Sequence, residues 1–349
     1  MTPRQRVRAA LHDQPVDQVP FTIYHDMLPS GEQERRLREL GLGLCVRAGV
    51  MTSHMPNVDV ETRTTVEDGR SVTYERVRTP VGEVTAKRSA GGGYGSSVRL
   101  EHAIKRPEDY RVVEYCVKHT VLEPAYDEFR RLVDEIGEDG YVMTAIGYSP
   151  LMEMLVTYMG LERFSMDMVD RPDAFFGLYE VLVEQRRRAY EIMADSPSEV
   201  VLYGGNVHPE IMGAQRFARY IVPCYDEAAD LLHAKGKIIG VHLDADNQAF
   251  APAVARSKID LIEAFTPPPD CDMSVAQARA AWPDKTLWIN FPSSVHLGAP
   301  ERIREVTREI LDQAAGMNRF LIGVTEDIPQ HVVLRSLTVI AETICQRRS

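Results

Sequence analysis

KIIGVHLDADNQ, residues 237–248, is the stretch on which the fold turns. Its first half is a short apolar run, the pattern of a strand buried on both faces. The run ends on His242, Asp244 and Asp246 rather than on neutral turn residues. The same kind of run recurs as YVMTAIG, EVVLYGGN, LIEAFT, LWINFP and FLIGVT, and VPFTIY at 19–24 reads as an earlier one. Helical periodicity fills the intervals, including Ala214 to Lys235, Pro300 to Ala315 and Val332 to Gln346. Apolar strands alternating with helices predict a parallel sheet covered on both faces by its crossovers. Seven or more such units predict closure into a (β/α)8 TIM barrel, with an open doubly wound sheet as the alternative. No GxGxxG or P-loop pattern follows an early strand, which weakens the nucleotide-binding form of that alternative.

Outward from this stretch, the 349 residues read as a single barrel domain over 1–349 with two additions. One is an N-terminal helical extension, MTPRQRVRAALHDQPVD, basic and amphipathic but without the apolar centre of a secretion signal. The other is an antiparallel β insertion at 58–88, where Thr, Val, Arg and Glu alternate between turns at Glu67-Asp68-Gly69 and Thr79-Pro80-Val81-Gly82. GGGYGSS at 91–97 is too glycine-rich for helix or strand and reads as a mobile loop able to cover a site. A net charge of −11 without a dense Lys/Arg stripe argues against nucleic acid and against an anionic membrane surface. No apolar run reaches membrane-spanning length, and a cytoplasmic location is expected. The five cysteines carry no CxxC pair, so neither disulfides nor a thiolate-rich zinc site is expected.

The polar residues concentrate at strand ends. EVVLYGGN ends in Asn206, KIIGVHLD in His242 and Asp244, LIEAFT carries Glu263, LWINFP carries Asn290, and FLIGVT leads into Glu326 and Asp327. In a parallel barrel these ends converge on one rim, the face that carries the chemistry of barrel enzymes. His242 and Asp244, two apart, point to one side of their strand. Glu263 puts a charge inside a buried strand. Carboxylates crowded in this way repel unless protonated, hydrogen-bonded or neutralised by a cation. One imidazole nitrogen and two or three carboxylate oxygens suit a divalent metal: zinc, or manganese or iron. The expected metal ligands are therefore His242, Asp244, Glu263 and Glu326. The plainer alternative is that Asp244 or Asp246 caps the helix beginning near Asn247.

Other strand-end residues are assigned by place. His25, Tyr203 and Asn206 are candidate catalytic residues, and Tyr24, Tyr148 and Asn290 candidate substrate contacts. Asp26 and His54 could face the mouth but have structural readings, His208 reads as a helix cap, and Ser293 or Ser294 as a donor or a cap. Met152, Met154 and Met159 read as core, with an apolar substrate groove as the alternative. Cys271 reads as a loop thiol.

At these residues the chain resembles the superfamily that joins uroporphyrinogen decarboxylase, cobalamin-independent methionine synthase and the methylcobamide-dependent methyltransferases. The resemblance lies in RQRVRAALHDQPVDQVPF, in NVHPEIMGAQRFARYIVPCYDEAADLLHAKGKIIGVHLD, in DLIEAF and in RFLIGVTEDIP, and covers most of the chain outside the insertion. It implies a (β/α)8 barrel. In the methyltransferase branches a zinc ion is held by a His-x-Cys pair, a late Cys and, in methionine synthases, a Glu. On that pattern the His falls on His242 and the Glu on Glu263, while Asp244 and Glu326 stand where the cysteines would be. The carboxylates favour an oxygen-preferring metal and put transfer to a zinc-bound thiol in question. In the decarboxylase branch, arginines after the first strand receive porphyrin carboxylates; here FTIYHDMLPSGEQERR has none before Arg35. What the resemblance implies first is a metal-dependent, demethylase-type methyltransferase passing a methyl group from a small compound to a corrinoid protein or a folate, with a homodimer as its assembly. The alternatives are a metal-dependent decarboxylase, lyase or hydrolase of a small carboxylated substrate, and a non-catalytic metabolite-binding barrel.

Overall fold

The computed structural model describes residues 1–28, 31–91 and 97–347. It divides into two compact units, one of Met1–Val50, Tyr126–Gly147 and Pro197–Ser349, the other of Met51–Ala125 and Tyr148–Ser196. The first is a closed parallel barrel of β1 (Phe21–Tyr24), β2 (Leu42–Arg47), β3 (Gly140–Gly147), β4 (Val200–Tyr203), β5 (Ile238–His242), β6 (Leu261–Phe265), β7 (Thr286–Asn290) and β8 (Phe320–Val324). Each strand pairs with its neighbours in sequence and β8 returns to β1, so no edge is left open. Strands β4, β6, β7 and β8 are buried at every position, as a strand must be when side chains fill the inside and helices cover the outside. The open-sheet alternative is thereby set aside.

Strand β2 stands outside the apolar runs that the sequence singled out. Gly41 and Gly43 dilute its pattern, but Gly43 has a packing reason: a Cβ there would lie 2.8 Å from the Pro3 Cβ. Pro3 begins the helix Pro3–Leu11, which Thr2 and Gln5 close with a reciprocal capping box. That helix sends Val7, Ala10 and Leu11 into the cluster that fills the barrel: Tyr24, Cys45, Tyr141, Met143, Val200, Leu202, Leu261, Trp288 and Leu321. Its Arg8 and His12 meet Glu199, the residue before β4. The helix thus plugs the end where the strands begin, and chemistry is left to the end where they stop.

Inside, the Trp288 indole donates to Thr22 Oγ1 at 2.9 Å, satisfying a polar group that burial would otherwise penalise. The inward cluster also fixes the alternation on each strand. Tyr24, Cys45, Leu202 and Leu261 point in, so Arg47 and Glu263 do too, and Tyr203 points out.

The second unit holds the antiparallel sheet. Asp59–Glu67, Arg70–Thr79 and Gly82–Ala90 form the expected meander, and Ser97–Glu101 adds a fourth strand. Asp68 and Gly69, with φ of 49° and 76°, make the tight first turn, as hairpins with positive φ at both central residues require. Residues 92–96 of the expected mobile loop lie outside the described residues. Met152, Met154 and Met159 are buried, in keeping with their reading as core. Among the described residues no helix is long and apolar enough to cross a membrane.

Candidate metal and catalytic site

Register builds the site from the strands upward. Pairing of β5 with β6 puts Gly240 beside Leu261 and His242 beside Glu263, so imidazole and carboxylate are inward-facing neighbours. Glu263 is fully buried, and both its oxygens are engaged: Oε1 accepts from the Tyr24 hydroxyl at 2.6 Å and Oε2 lies 2.5 Å from His242 Nδ1. The other ring nitrogen, Nε2, faces Asp244 Oδ2 at 3.5 Å. His242, Asp244 and Glu326 each offer one ligand atom, and these atoms all lie within 4.8 Å of one another. Glu326 reaches the group from just beyond β8, a long way off in sequence but adjacent in the closed barrel.

The electrostatics follow from this layout. Burial disfavours charge on His242, but Glu263 and Asp244 outweigh it and lift the imidazole to about 10. Burial also works against Asp244, yet the His242 ring and backbone N–H donors, that of Asn206 among them, hold its carboxyl below the ordinary range. Glu326 is pushed up by burial and then by the Asp244 charge. Burial and the facing Glu263 hold the Tyr24 phenol well above its ordinary range, so it stays a neutral donor. Three carboxylates gather round a single imidazole, an excess of negative charge that a divalent cation would balance.

The donor chemistry fits such a cation. One nitrogen and two oxygens that can converge make three ligands and leave a position open, the layout of catalytic sites. Glu263 sits behind the ring. Its carboxylate on Nδ1 directs Nε2 toward the other two donors, as an outer carboxylate does in metal-bound histidines.

The backbone is shaped for this group. Asn206 and Ala264 are non-glycine residues in the left-handed region, with φ of 61° and 60°, and they flank His242 and Glu263. At Ala264 the β6–β7 register slips, a bulge directly after the buried carboxylate. Gly205 packs so closely on His242 that a methyl group there would run into the ring. The Gly-Gly pair after β4 was the sequence signal for that approach. Asn290 is buried at the end of β7; its Oδ1 accepts from the Thr325 N–H at 2.9 Å and its Nδ2 donates to Thr266 at 3.3 Å. It holds the chain just before Glu326.

Not every expected residue joins the group. Tyr203 points into the helical layer, its ring 4.9 Å from that of Tyr225, and the structure does not bring it to His242. His25 lies at the end of β1, half exposed, with Nδ1 3.2 Å from its neighbour Asp26. Asp246 accepts from the Asp272 N–H at 2.9 Å and ties two loops together. His208 caps the short helix after it, accepting from the Glu210 N–H. Tyr148 and the exposed His54 belong to the second unit. Cys271 donates to the Asp244 carbonyl at 3.4 Å, and burial pushes its thiol up to about 12.

Comparison with known proteins agrees with the barrel. Residues 91–346 match the sequence model of the family described as uroporphyrinogen decarboxylase (URO-D). A methyltransferase from Methanosarcina mazei superposes over the full length of both chains with a TM-score of 0.61 at 11% identity, a likeness of fold. A B12-independent methionine synthase from Shewanella sp. W3-18-1 gives 0.44 at 10% identity, over 84% of this chain and 77% of its own. No curated protein matches the chain.

Proposed function

The chain belongs to the uroporphyrinogen decarboxylase (URO-D) family, and from that premise we propose that its barrel is a metal-dependent methyltransferase of the demethylase type, acting on a small methylated compound. The observation that carries the reading is the convergence of His242, Asp244 and Glu326 within 4.8 Å, with Glu263 locking the imidazole from behind. A divalent cation held there, zinc in the first instance and manganese or iron as alternatives, supplies Lewis-acid polarisation of the oxygen, nitrogen or sulfur that gives up its methyl group.

The chain's own residues do the rest. Glu263 fixes which nitrogen of His242 faces the donors, and Tyr24 holds Glu263 in turn. Asn206 steadies Asp244 through its backbone N–H, and Asn290 steadies the approach to Glu326. Of the candidate catalytic residues, His25 keeps a place at a strand end and is the one proposed to protonate the departing group. The methyl acceptor is a corrinoid protein or a folate, and the working assembly a homodimer.

A second reading, a metal-dependent decarboxylase, lyase or hydrolase of a small carboxylated substrate, draws on the same donor set. Two carboxylates where related methyltransferases place thiolates make a harder site, better matched to oxygen-rich substrates. The two readings part in one assay. Zinc-loaded protein is incubated with a panel of methyl ethers, methylamines and methyl thioethers together with reduced cobalamin, and formation of methylcobalamin is followed by absorbance. In parallel, simple carboxylates are screened for release of carbon dioxide. Methylcobalamin formation that disappears in Glu326→Gln supports the first reading; carbon dioxide release without methyl transfer replaces it with the second.

A further inference from the structure

An exposed arginine is ordinarily just a solvated one. Three observations set Arg47 apart. It is the last residue of β2, two beyond Cys45, and Cys45 is part of the cluster that fills the barrel, so Arg47 points over the same interior at the end where the strands stop. Its guanidinium lies over the Tyr24 ring, 4.2 Å from the centroid, and that contact holds the planar group without using any of its five N–H donors. Among the described residues no carboxylate pairs with it, so its charge and its donors stay available beside an acidic group.

The neighbourhood gives this unpaired cation its meaning. Tyr24, on which it rests, donates to Glu263, which holds His242. Arg47 is thus one aromatic ring away from the carboxylate behind the candidate ligand group. Every other charged side chain of that group except the imidazole is acidic, so Arg47 is the counterpart that an anion entering from the rim would seek. A flat fork of donors suits the oxygens of a carboxylate or a phosphate, and stacking prepays part of the cost of ordering it.

We propose that Arg47 is the anion anchor of the strand-end site, so that the substrate is a small compound carrying an anionic group at one end and the reacting atom at the other. The proposal rests on the strand-end group being the reaction site. It narrows the substrate to anions and assigns to the end of β2 a binding role that the ligand set does not include.

Titration calorimetry tests it with acetate, methoxyacetate and inorganic phosphate as probes, on the full chain both stripped of metal and loaded with zinc. Wild type is expected to bind at least one probe in each state, with the preferred probe distinguishing carboxylate from phosphate. Arg47→Gln should weaken binding at least tenfold in the metal-free state, and Arg47→Lys by less, because a lysine keeps the charge but loses the fork and the stacking. Zinc affinity, measured separately, should be the same in wild type and Arg47→Gln. Binding that is indifferent to Arg47→Gln overturns the proposal, and so does the failure of all three probes to bind wild type. If the probes bind through Arg47 and zinc does not bind at all, the anion anchor stands and the metal reading falls.

Discussion

Two of the places where acidic side chains meet basic ones, the antiparallel sheet and the inside of the barrel, differ in almost every physical respect. In the antiparallel sheet, Arg78 reaches Asp59, Glu61 and Glu83, and Lys87 reaches Glu67, all at the surface. In the barrel, Glu263 is fully buried against His242 and Tyr24. The sheet's pairs are reached by flexible side chains, exchange readily for water and are screened by salt. The barrel's pair is set by strand register, with Glu263 shut off from water, where an unpartnered charge is costly. Like chemistry decorates one region and organises the other.

That contrast can be broken most severely at Glu263. Glu263→Ala leaves the imidazole and the Tyr24 hydroxyl without their partner and is expected to cost about 3–5 kcal/mol of stability, read by urea unfolding. A loss no larger than that of a surface variant would mean that the buried pair does not organise the barrel.

Acid should find a buried histidine next. His296 is buried beside Phe291; its Nδ1 meets Ser336 at 2.6 Å and its Nε2 has no partner among the described residues. Burial lowers it from 6.5 to about 4, with Asp270 opposing weakly. Between those two values the unfolded chain binds a proton that the folded one refuses, so stability is full above about 6.5 and falls as pH drops toward 4. The loss should total roughly 2–4 kcal/mol by linkage, and His296→Asn should flatten it. A wild-type unfolding curve that does not change across that window would contradict the assignment.

Smaller in energy but closer to function are the supports of the imidazole. Glu263→Gln and Gly205→Ala disturb its orientation without removing a ligand, and each should weaken zinc binding by about 10–100-fold, the range seen when outer supports are lost. Competition with a chromophoric chelator reads this directly. Wild-type affinity in both variants would show that the ring needs no such support. At the bottom of the scale, Arg78→Ala and Lys87→Met should leave Tm unchanged within error and zinc binding untouched, because their pairs are open to solvent. A clear drop in Tm would place the sheet's charges in the same class as the barrel's.

The sequence carried the barrel because its strands are buried on both faces and announce themselves as apolar runs between helices. It carried the meander because alternation and turn residues are local signals, and Asp68-Gly69 is one of them. Strand β2 was hidden because Gly41 and Gly43 serve the packing of the N-terminal helix rather than strand propensity. The strand-end residues were legible as polar residues that interrupt apolar runs. Which way each one faces was not. In a strand buried on both sides the two faces look alike in composition, so Tyr203 read as a rim residue although it packs on Tyr225. Nor could pattern reveal that Glu263 spends its oxygens on Tyr24 and His242, since Tyr24 lies 239 residues away and only closure of the barrel joins them. Arg47 carries no signal of its own in the sequence for a similar reason: its significance comes from what stands beside it.

The proposed chemistry depends on a cation held by one imidazole nitrogen and carboxylate oxygens. X-ray absorption at the zinc edge, on protein loaded with one equivalent and freed of excess, tests this most directly. The expected spectrum has only nitrogen and oxygen neighbours at about 2.0–2.2 Å, with the imidazole signature lost in His242→Ala. Failure to retain zinc, or a sulfur neighbour at about 2.3 Å, as Cys271 would give if it were a ligand, contradicts the assignment.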